Sequence, residues 1–546
     1  MSTPYEEGDP SSRICFVGEA PSRTEMRLQR PFVGPAGMVF EECLHTAGII
    51  RRQCFITNVF EFEVVKDHRS KENYYRKHDN VRVWSKKSGF TEEGWRSVHL
   101  LKDRLDACKA HVIVPMGGCA LDALCSQRAI LKWRGSILES DVLDGSRKLV
   151  PTIHPSAVLQ GQYIWRYLIV ADMRRAREQA RSPVIRRPVR DLIIDPSHST
   201  CLAFLRELEN VKKVATDVEI FNHQISCASF ASDPACAISI PFVGRDGGNR
   251  WTEEEEVELV EAMARVLANE NSVKVNQNIL FDMFMYLFRL GIHVRGPIKD
   301  TMVGFSLMYV DFKKGLDTIC SLYTEEPYYK DDGKIWQKPF RDMDAFWRYN
   351  AKDAVVALES WNNMEPELLK GGYMKTHDFT TSFYNTLLFM MVQGFYVDRD
   401  RLEQTRRDQK AQLDAKIAEL NEAADMPLNA LSPKQCQAYF YGHKGAKPYV
   451  SPKTHQITTD DLAMSRLWRR YHWPEIKLVQ DVRTLTKLVS SYLDVNLDKD
   501  GKLRCSYNPR GTKFGRLSSS ETVFGTGMNL QNLDPSFKTF ILPDPV

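Results

Sequence analysis

The sequence predicts a multidomain chain of α/β and α+β layers that ends in a mainly helical part. Three observations carry that expectation. Apolar strands alternate with helical patterns through roughly the first third of the chain. A β-branched strand with paired acids, Val214-Ala215-Thr216-Asp217-Val218-Glu219, stands further on, and from Asp378 the periodicity turns helical. At 546 residues the length suits about three or four domains. The expected organisation is a tail over 1–12, an α/β domain over 13–180, a linker over 181–192, a second domain over 193–372 and the helical part over 373–546.

Composition narrows the classes. Hydrophobic content of 43% and charged content of 26% are ordinary for globular chains. A net charge of +4 permits nucleic-acid binding through local patches without demanding it. No apolar run approaches the roughly 18 residues that span a bilayer, and the opening Met1-Ser2-Thr3-Pro4-Tyr5-Glu6-Glu7 is unlike a signal peptide. Twelve cysteines without a C-x-x-C pair argue for reduced core thiols and a cytoplasmic setting, the host cytoplasm if the source is a phage. No membrane partner is expected.

In chain order, Ile14-Cys15-Phe16-Val17-Gly18-Glu19-Ala20-Pro21 is an apolar strand stopped by a turn. Pro31-Phe32-Val33-Gly34-Pro35-Ala36-Gly37 follows and leads into a helical pattern through Phe40, Leu44 and Ala47. Further strands are expected at Cys54-Phe55-Ile56-Thr57-Asn58, at His111 to Pro115, and as a fourth that ends in Thr152-Ile153-His154-Pro155. In such a layer the site lies at the carboxyl ends of the strands, where Glu19, Asn58 and His154 fall. The Lys/Arg/Tyr-rich stretch from Val65 to Trp95 reads as a solvated excursion, or as a DNA-contacting loop.

These motifs together resemble the uracil-DNA glycosylase superfamily, nearest to its iron–sulfur-bearing thermophile-type branch, over about Arg13 to Glu178. The resemblance implies Gly18 and Glu19 in the water-handling motif, Phe32 stacked on a flipped base, Asn58 bonded to the uracil edge, and His154 stabilising the departing base. That set is chemically coherent: a flipped base needs an aromatic face, an amide and an electrostatic partner for the leaving group. Phe62 stands where the branch carries a cysteine, no cysteine pair precedes Gly18, and Ser22 replaces a usual glycine. No iron–sulfur cluster is therefore expected. The domain is either an active glycosylase or an inactive DNA-docking module.

Ala180 to Arg190 is a Pro/Arg-rich linker. Beyond it, Asp217 and Glu219 sit two residues apart on a strand and face one side. Asp282 and Asp353 lie downstream, and Tyr349 shares a helix face with Asp353 at i,i+4 spacing. A lone Asp-x-Glu is most simply a solvated pair. Four acids gathered from strand and helices could instead hold two Mg²⁺ or Mn²⁺ ions for in-line attack on a phosphodiester. With Lys274-Val275-Asn276-Gln277-Asn278 and Asp300-Thr301-Met302, the segment resembles the proofreading 3′→5′ exonuclease domain of family A DNA polymerases, the DEDD class with a tyrosine. The resemblance implies a ribonuclease H-like fold, metal-binding roles for Asp217, Glu219, Asp282 and Asp353, and a Tyr349 that orients the attacking water. The Glu253–Glu256 run is expected to be a helix's first turn capped by Thr252.

In the last part, Gly394-Phe395-Tyr396-Val397-Asp398 reads as a break between helices, and Ser432-Pro433 as a helix start. A helix over Pro474 to Tyr492 carries Leu478, Val482, Leu485, Val489 and Tyr492 along one seam. Arg466, Arg469, Arg470, Arg483 and Lys487 form a solvated face that also suits a phosphate backbone. Gly515-Arg516-Leu517-Ser518-Ser519 and Asn529-Leu530-Gln531-Asn532 resemble the segment leading into the family A palm, which implies DNA contacts from Arg516, Ser518, Asn529, Gln531 and Asn532. The palm aspartates and fingers lysine of the family are not met before Val546. Nucleotide incorporation by this chain alone is therefore not expected, a separate palm and fingers polypeptide is a possible partner, and apolar surface is expected from Asn508 onward. The sequence is thus expected to be the N-terminal portion of a phage-type family A DNA polymerase, with a helical thumb and the start of a palm, acting on primer–template and single-stranded 3′ ends in replication with proofreading. The alternatives are a DNA-docking or uracil-sensing module with vestigial sites and a free-standing repair nuclease.

Overall fold

A computed structural model describes residues 3–67, 72–333, 342–452, 454–535 and 537–543. Asp544 to Val546, part of the expected palm start, lie outside the described residues. The chain forms two compact units, Met1–Ser382 and Phe383–Val546.

Unit one opens with a six-stranded sheet whose centre is parallel: β1 (Ile14–Gly18) lies between β2 (Cys54–Asn58) and β3 (Val112–Pro115). All residues of these strands are buried, which explains their near-continuous apolar runs. Alternation splits β1 between two cores: Ile14 and Phe16 join the cluster with Phe40 and Leu44, while Cys15 and Val17 join the one with Leu101 and Leu121. Parallel pairing sets Gly18 beside Asn58 at the carboxyl end. Within the stretch 1–12, Glu6–Glu7 adds an antiparallel edge strand to β2.

Two expectations for this region need correcting. The fourth strand is only Lys148–Leu149, and Thr152 makes a single bridge to Met116; Pro151 between them has no N–H for a ladder. Of the Val65–Trp95 stretch, 68–71 lie outside the described residues, and the rest is no solvated excursion. Val64–Lys66, Asn73–Arg76, Arg82–Ser85 and Gly89–Phe90 build an antiparallel sheet. Tyr74, Val83 and Trp84 pack into the core beneath it, and Lys66 lies over the Tyr74 ring on the same face.

The second sheet of unit one has the order Asp191–Ile193, Cys236–Pro241, Gln224–Asp233, Lys213–Phe221, Val273–Asn276, Ile298–Asp300. Its middle pairings are antiparallel and its outer ones parallel, and we name Lys213–Phe221 β4. Two helices position its site: α1 (Ile279–Leu290) and the long α2 (Met343–Lys370), whose Trp361, Val355 and Leu358 fill the core. Thr252 caps the Glu253–Leu267 helix through a reciprocal box with Glu255, which accounts for the glutamate run. In the stretch 181–192, Arg190 is buried between Glu326 and Glu359.

Unit two packs α3 (Arg399–Ala424) against α4 (Pro474–Leu488), with Leu420, Ile476, Val479 and Val482 in its core. Ser432 caps the next helix, with Pro433 at its first position. The Gly394–Asp398 stretch is more than a break: Phe395–Val397 is the central strand between Lys502–Leu503 and Ile541–Leu542. Arg483 also departs from the solvated-face reading, because its guanidinium donates to the carbonyls of Ala430 (2.8 Å) and Thr459 (2.7 Å) and ties two loops to α4. All twelve cysteines are unpaired thiols. Among the described residues no helix is long and apolar enough to cross a membrane.

Candidate functional site

The acidic site is assembled from β4 and α2. Asp217 and Glu219, at positions i and i+2 of the strand, meet Asp353 from the helix, and carboxylate oxygens of the three lie within 4.8 Å of one another. Asp217 is held from two sides: Asn350 Nδ2 donates to its Oδ2 (2.9 Å), and Asn276 Nδ2 lies 3.4 Å from its Oδ1. Asn350 is itself fixed by Ser239 Oγ (2.8 Å). Burial, reinforced by Asp353, pushes the Asp217 carboxyl up to about 7. Burial and the charges of Asp217 and Asp353 push Glu219 well above the carboxylate range.

Asp282 stands apart from this trio. Its Oδ1 accepts the Val218 N–H at 2.9 Å, so α1 is pinned to the back of the acidic strand. Burial first, then the nearby Asp217 charge, raises its pKa well above the usual range. Asp300 serves the chain rather than the trio: its Oδ1 accepts the N–H of Asn278 (3.1 Å) and Met302 (2.8 Å).

Two groups here carry no sequence signature. Tyr329 OH donates to Asp353 Oδ1 at 2.5 Å, and Lys330 Nζ donates to Asp353 Oδ2 and to Tyr349 OH, the latter at 2.9 Å. Lys330 also lies over the Tyr349 ring, 4.8 Å from its centroid. Burial alone would lower the ammonium's pKa, but Asp353, Asp217 and Glu219 hold it above the ordinary lysine value. Gly333 rests on the tyrosine so closely that a Cβ there would fall 2.7 Å from Cζ.

Three half-buried to buried carboxylates around one point repel unless a cation joins them. An all-carboxylate oxygen donor set suits a hard divalent ion such as Mg²⁺ or Mn²⁺. The residues present therefore fit a divalent metal, with Asp217, Glu219 and Asp353 as the group that could hold it.

The second constellation lies at the carboxyl ends of β1 and β2. A Cβ at Gly18 would fall 2.3 Å from Asn58 Oδ1 and 2.6 Å from Phe32 Cζ, so only glycine lets amide and ring converge here. Phe32 is buried with φ of 50°, a strained left-handed backbone for a bulky residue. Its ring centroid is 5.9 Å from that of His154. Ser156 N–H lies 3.2 Å from His154 Nδ1, which places the acceptor there and the proton on Nε2. Burial lowers the His154 pKa to about 4, so the imidazole is neutral at ordinary pH. Burial raises Glu19, opposed by Lys66, whose Nζ is 3.6 Å away and also lies over the Tyr74 ring. Lys66 and Tyr74 come from the small antiparallel sheet, and no motif in the sequence marks their place here.

In unit two, Arg516, Gln531 and Asn532 are exposed, and Ser518 lies in the hairpin pairing Ser506–Asn508 with Ser518–Ser520. Asn529 turns inward, accepting from Ser519 Oγ (2.7 Å) and Gln531 N–H (3.0 Å). Phe514, on the intervening loop, is 90% exposed.

Comparison with known proteins divides the chain in three. The family described as uracil DNA glycosylase superfamily matches residues 5–169, 3'-5' exonuclease matches 196–369, and DNA polymerase family A matches 399–539. A type-4 uracil-DNA glycosylase of Thermotoga maritima is 31% identical over 174 residues, 31% of this chain and 79% of that protein. A DNA polymerase of Escherichia phage T5 is 26% identical over 309 residues, 50% of this chain and 35% of that protein. A DNA polymerase I of Rhizobium leguminosarum is 27% identical over 365 residues, 62% of this chain and 35% of that protein. The chain thus spans about a third of the length of these two polymerases.

Proposed function

From a chain that belongs to the uracil-DNA glycosylase superfamily in its first part, and continues as a 3′–5′ exonuclease domain and a DNA polymerase family A segment, we propose a replication protein that removes nucleotides from DNA 3′ ends. The observation that carries this reading is the convergence of Asp217, Glu219 and Asp353 beside Tyr349. Two divalent ions, when bound, would supply the Lewis acidity that activates water and stabilises the leaving oxygen. Asp217, Glu219 and Asp353 would be their ligands, with Asp282 contributing charge and fixing Val218. Tyr349 OH accepts from Lys330 and lies beside Asp353, and it would orient a water in line with the scissile phosphorus. Attack forms the new P–O bond, breaks the bond to the 3′ oxygen of the preceding nucleotide, and that oxygen takes up a proton.

Digestion of 5′-labelled single-stranded DNA with Mg²⁺ or Mn²⁺ tests this. Asp217→Ala and Asp353→Ala should each lower the rate at least about a hundredfold, because a lost ligand disrupts both charge and geometry. Tyr349→Phe should cost less, about tenfold, through looser positioning. Robust digestion by the Asp217→Ala protein would remove the reading.

A second reading concerns the first domain, favoured by the packing of Phe32, Asn58 and His154 around Gly18. A flipped uracil would stack on Phe32 and bond Asn58, and neutral His154 would donate from Nε2 to the departing base. Glu19 would hold the water. Uracil release from uracil-containing DNA should then proceed in EDTA, and His154→Ala or Asn58→Ala should lower it at least about a hundredfold while 3′-end digestion persists. No release where digestion succeeds would favour a docking role. The proposed DNA contacts of unit two are Arg516, Ser518, Gln531 and Asn532, with Asn529 shaping their turn.

A further inference from the structure

We propose that Lys330 is a positioning residue of the exonuclease site that competes with divalent cations for Asp353, and that the first domain holds it there. This inference rests on the exonuclease reading above. Lys330 Nζ reaches both Asp353 Oδ2 and Tyr349 OH, joining a ligand to the residue that orients water. An ammonium in that position does two opposed things. It fixes the tyrosine hydroxyl and relieves carboxylate repulsion, yet it occupies a ligand oxygen and repels an incoming divalent ion.

The lysine is on a segment clamped from both sides. Towards α2, Tyr329 bonds Asp353, and Lys352 bonds Glu326 Oε1 at 3.2 Å. Towards the first sheet's domain, Tyr328 N–H donates to Ser136 Oγ (3.1 Å), and the Tyr328 ring meets Trp133 edge-on with centroids 5.4 Å apart. Lys132 Nζ pairs with Asp331 Oδ2 at 2.7 Å. Arg134 extends the contact, bonding Ser321 Oγ (2.8 Å) while anchored on the buried Asp172. The turn 132–136 of the glycosylase-like domain is therefore the outer wall of the segment that sets Lys330. Metal demand of one site is linked by packing to the integrity of the other domain.

The test separates charge from positioning in the full chain. Mn²⁺ binding is followed by the electron paramagnetic resonance signal of free Mn²⁺, and digestion of single-stranded DNA is measured at saturating Mn²⁺. Lys330→Met should bind Mn²⁺ about tenfold tighter, because a repelling charge is gone, while saturated digestion falls about tenfold or more. Lys330→Gln keeps a donor for Tyr349 without the charge, so it should bind Mn²⁺ as tightly and lose less digestion. Lys330→Arg should retain the weaker Mn²⁺ binding. Trp133→Leu should shift both readouts in the direction of Lys330→Met by a smaller factor. Unchanged or weaker Mn²⁺ binding by both the Met and Gln proteins would overturn the competition, a general loss of structure being expected to weaken binding. A Trp133→Leu protein matching the unaltered chain in both readouts would overturn the clamp. Failure of the unaltered chain to digest DNA would instead count against the exonuclease reading, and the Mn²⁺ measurement would still decide the role of Lys330.

Discussion

Asp217 is the residue where burial and charge oppose each other most plainly. Its folded carboxyl is pushed up to about 7, against an unperturbed value near 3.9. The folded metal-free chain therefore binds more protons than the unfolded chain between about pH 4 and pH 7, and stability falls as pH rises through that window. Asp217→Asn removes the charge while leaving an oxygen for Asn350 to bond. The metal-free Asp217→Asn protein should gain more than about 1.4 kcal/mol at pH 8, the worth of one pKa unit, and the gain should fade towards pH 4. Urea titrations at the two pH values check this; equal effects at both would refute the assigned shift. Asp217 with Glu219 and Tyr349 with Asp353 were legible because strand and helix periods place i, i+2 and i, i+4 residues together. Asp282, expected as a fourth ligand, instead bonds the Val218 N–H outside the trio. Lys330 and Tyr329 were not legible, since a loop obeys neither period and its reach to Asp353 is set by tertiary packing. Phe32 was legible as a ring but not as a residue with positive φ.

At the scale of elements, the small antiparallel sheet shows why the rest was hidden. Its strands are two to four residues long, too short for an alternating pattern to emerge from a Lys/Arg/Tyr-rich stretch. Only packing reveals that it has an inner face, and that this face delivers Lys66 to Glu19. Trp84 is its anchor: the indole is buried, and Nε1 donates to the buried Asp122 carboxylate at 2.7 Å. Trp84→Phe keeps most of the apolar area but leaves Asp122 without that donor, which should cost about 1–3 kcal/mol. Pairing it with Asp122→Leu should recover much of the loss, because two apolar groups leave no unmet acceptor. A double-mutant cycle by urea denaturation measures the coupling, and additive losses would show that the hydrogen bond is not what holds the sheet. The β1–β2–β3 core, by contrast, was readable from continuous apolar runs alone.

At the scale of the whole molecule, the chain is two compact units, each with hydrophobic clusters of its own. A chain so divided need not unfold in one step. The acidic site belongs wholly to unit one, so a bound divalent cation stabilises only that unit. At a free concentration a hundredfold above Kd the gain is about 2.7 kcal/mol for one site. Calorimetry should therefore resolve two transitions, with Mn²⁺ raising one by a few degrees and leaving the other in place. Asp353→Ala should abolish the shift without merging the transitions, because it removes a ligand and leaves both sets of clusters intact. The first domain and the exonuclease part share unit one through Arg134, Trp133 and Ser136, so uracil-site variants should unfold within the Mn²⁺-sensitive transition. A Mn²⁺ shift shared equally by both transitions would mean that the metal is bound outside the Asp217–Glu219–Asp353 group.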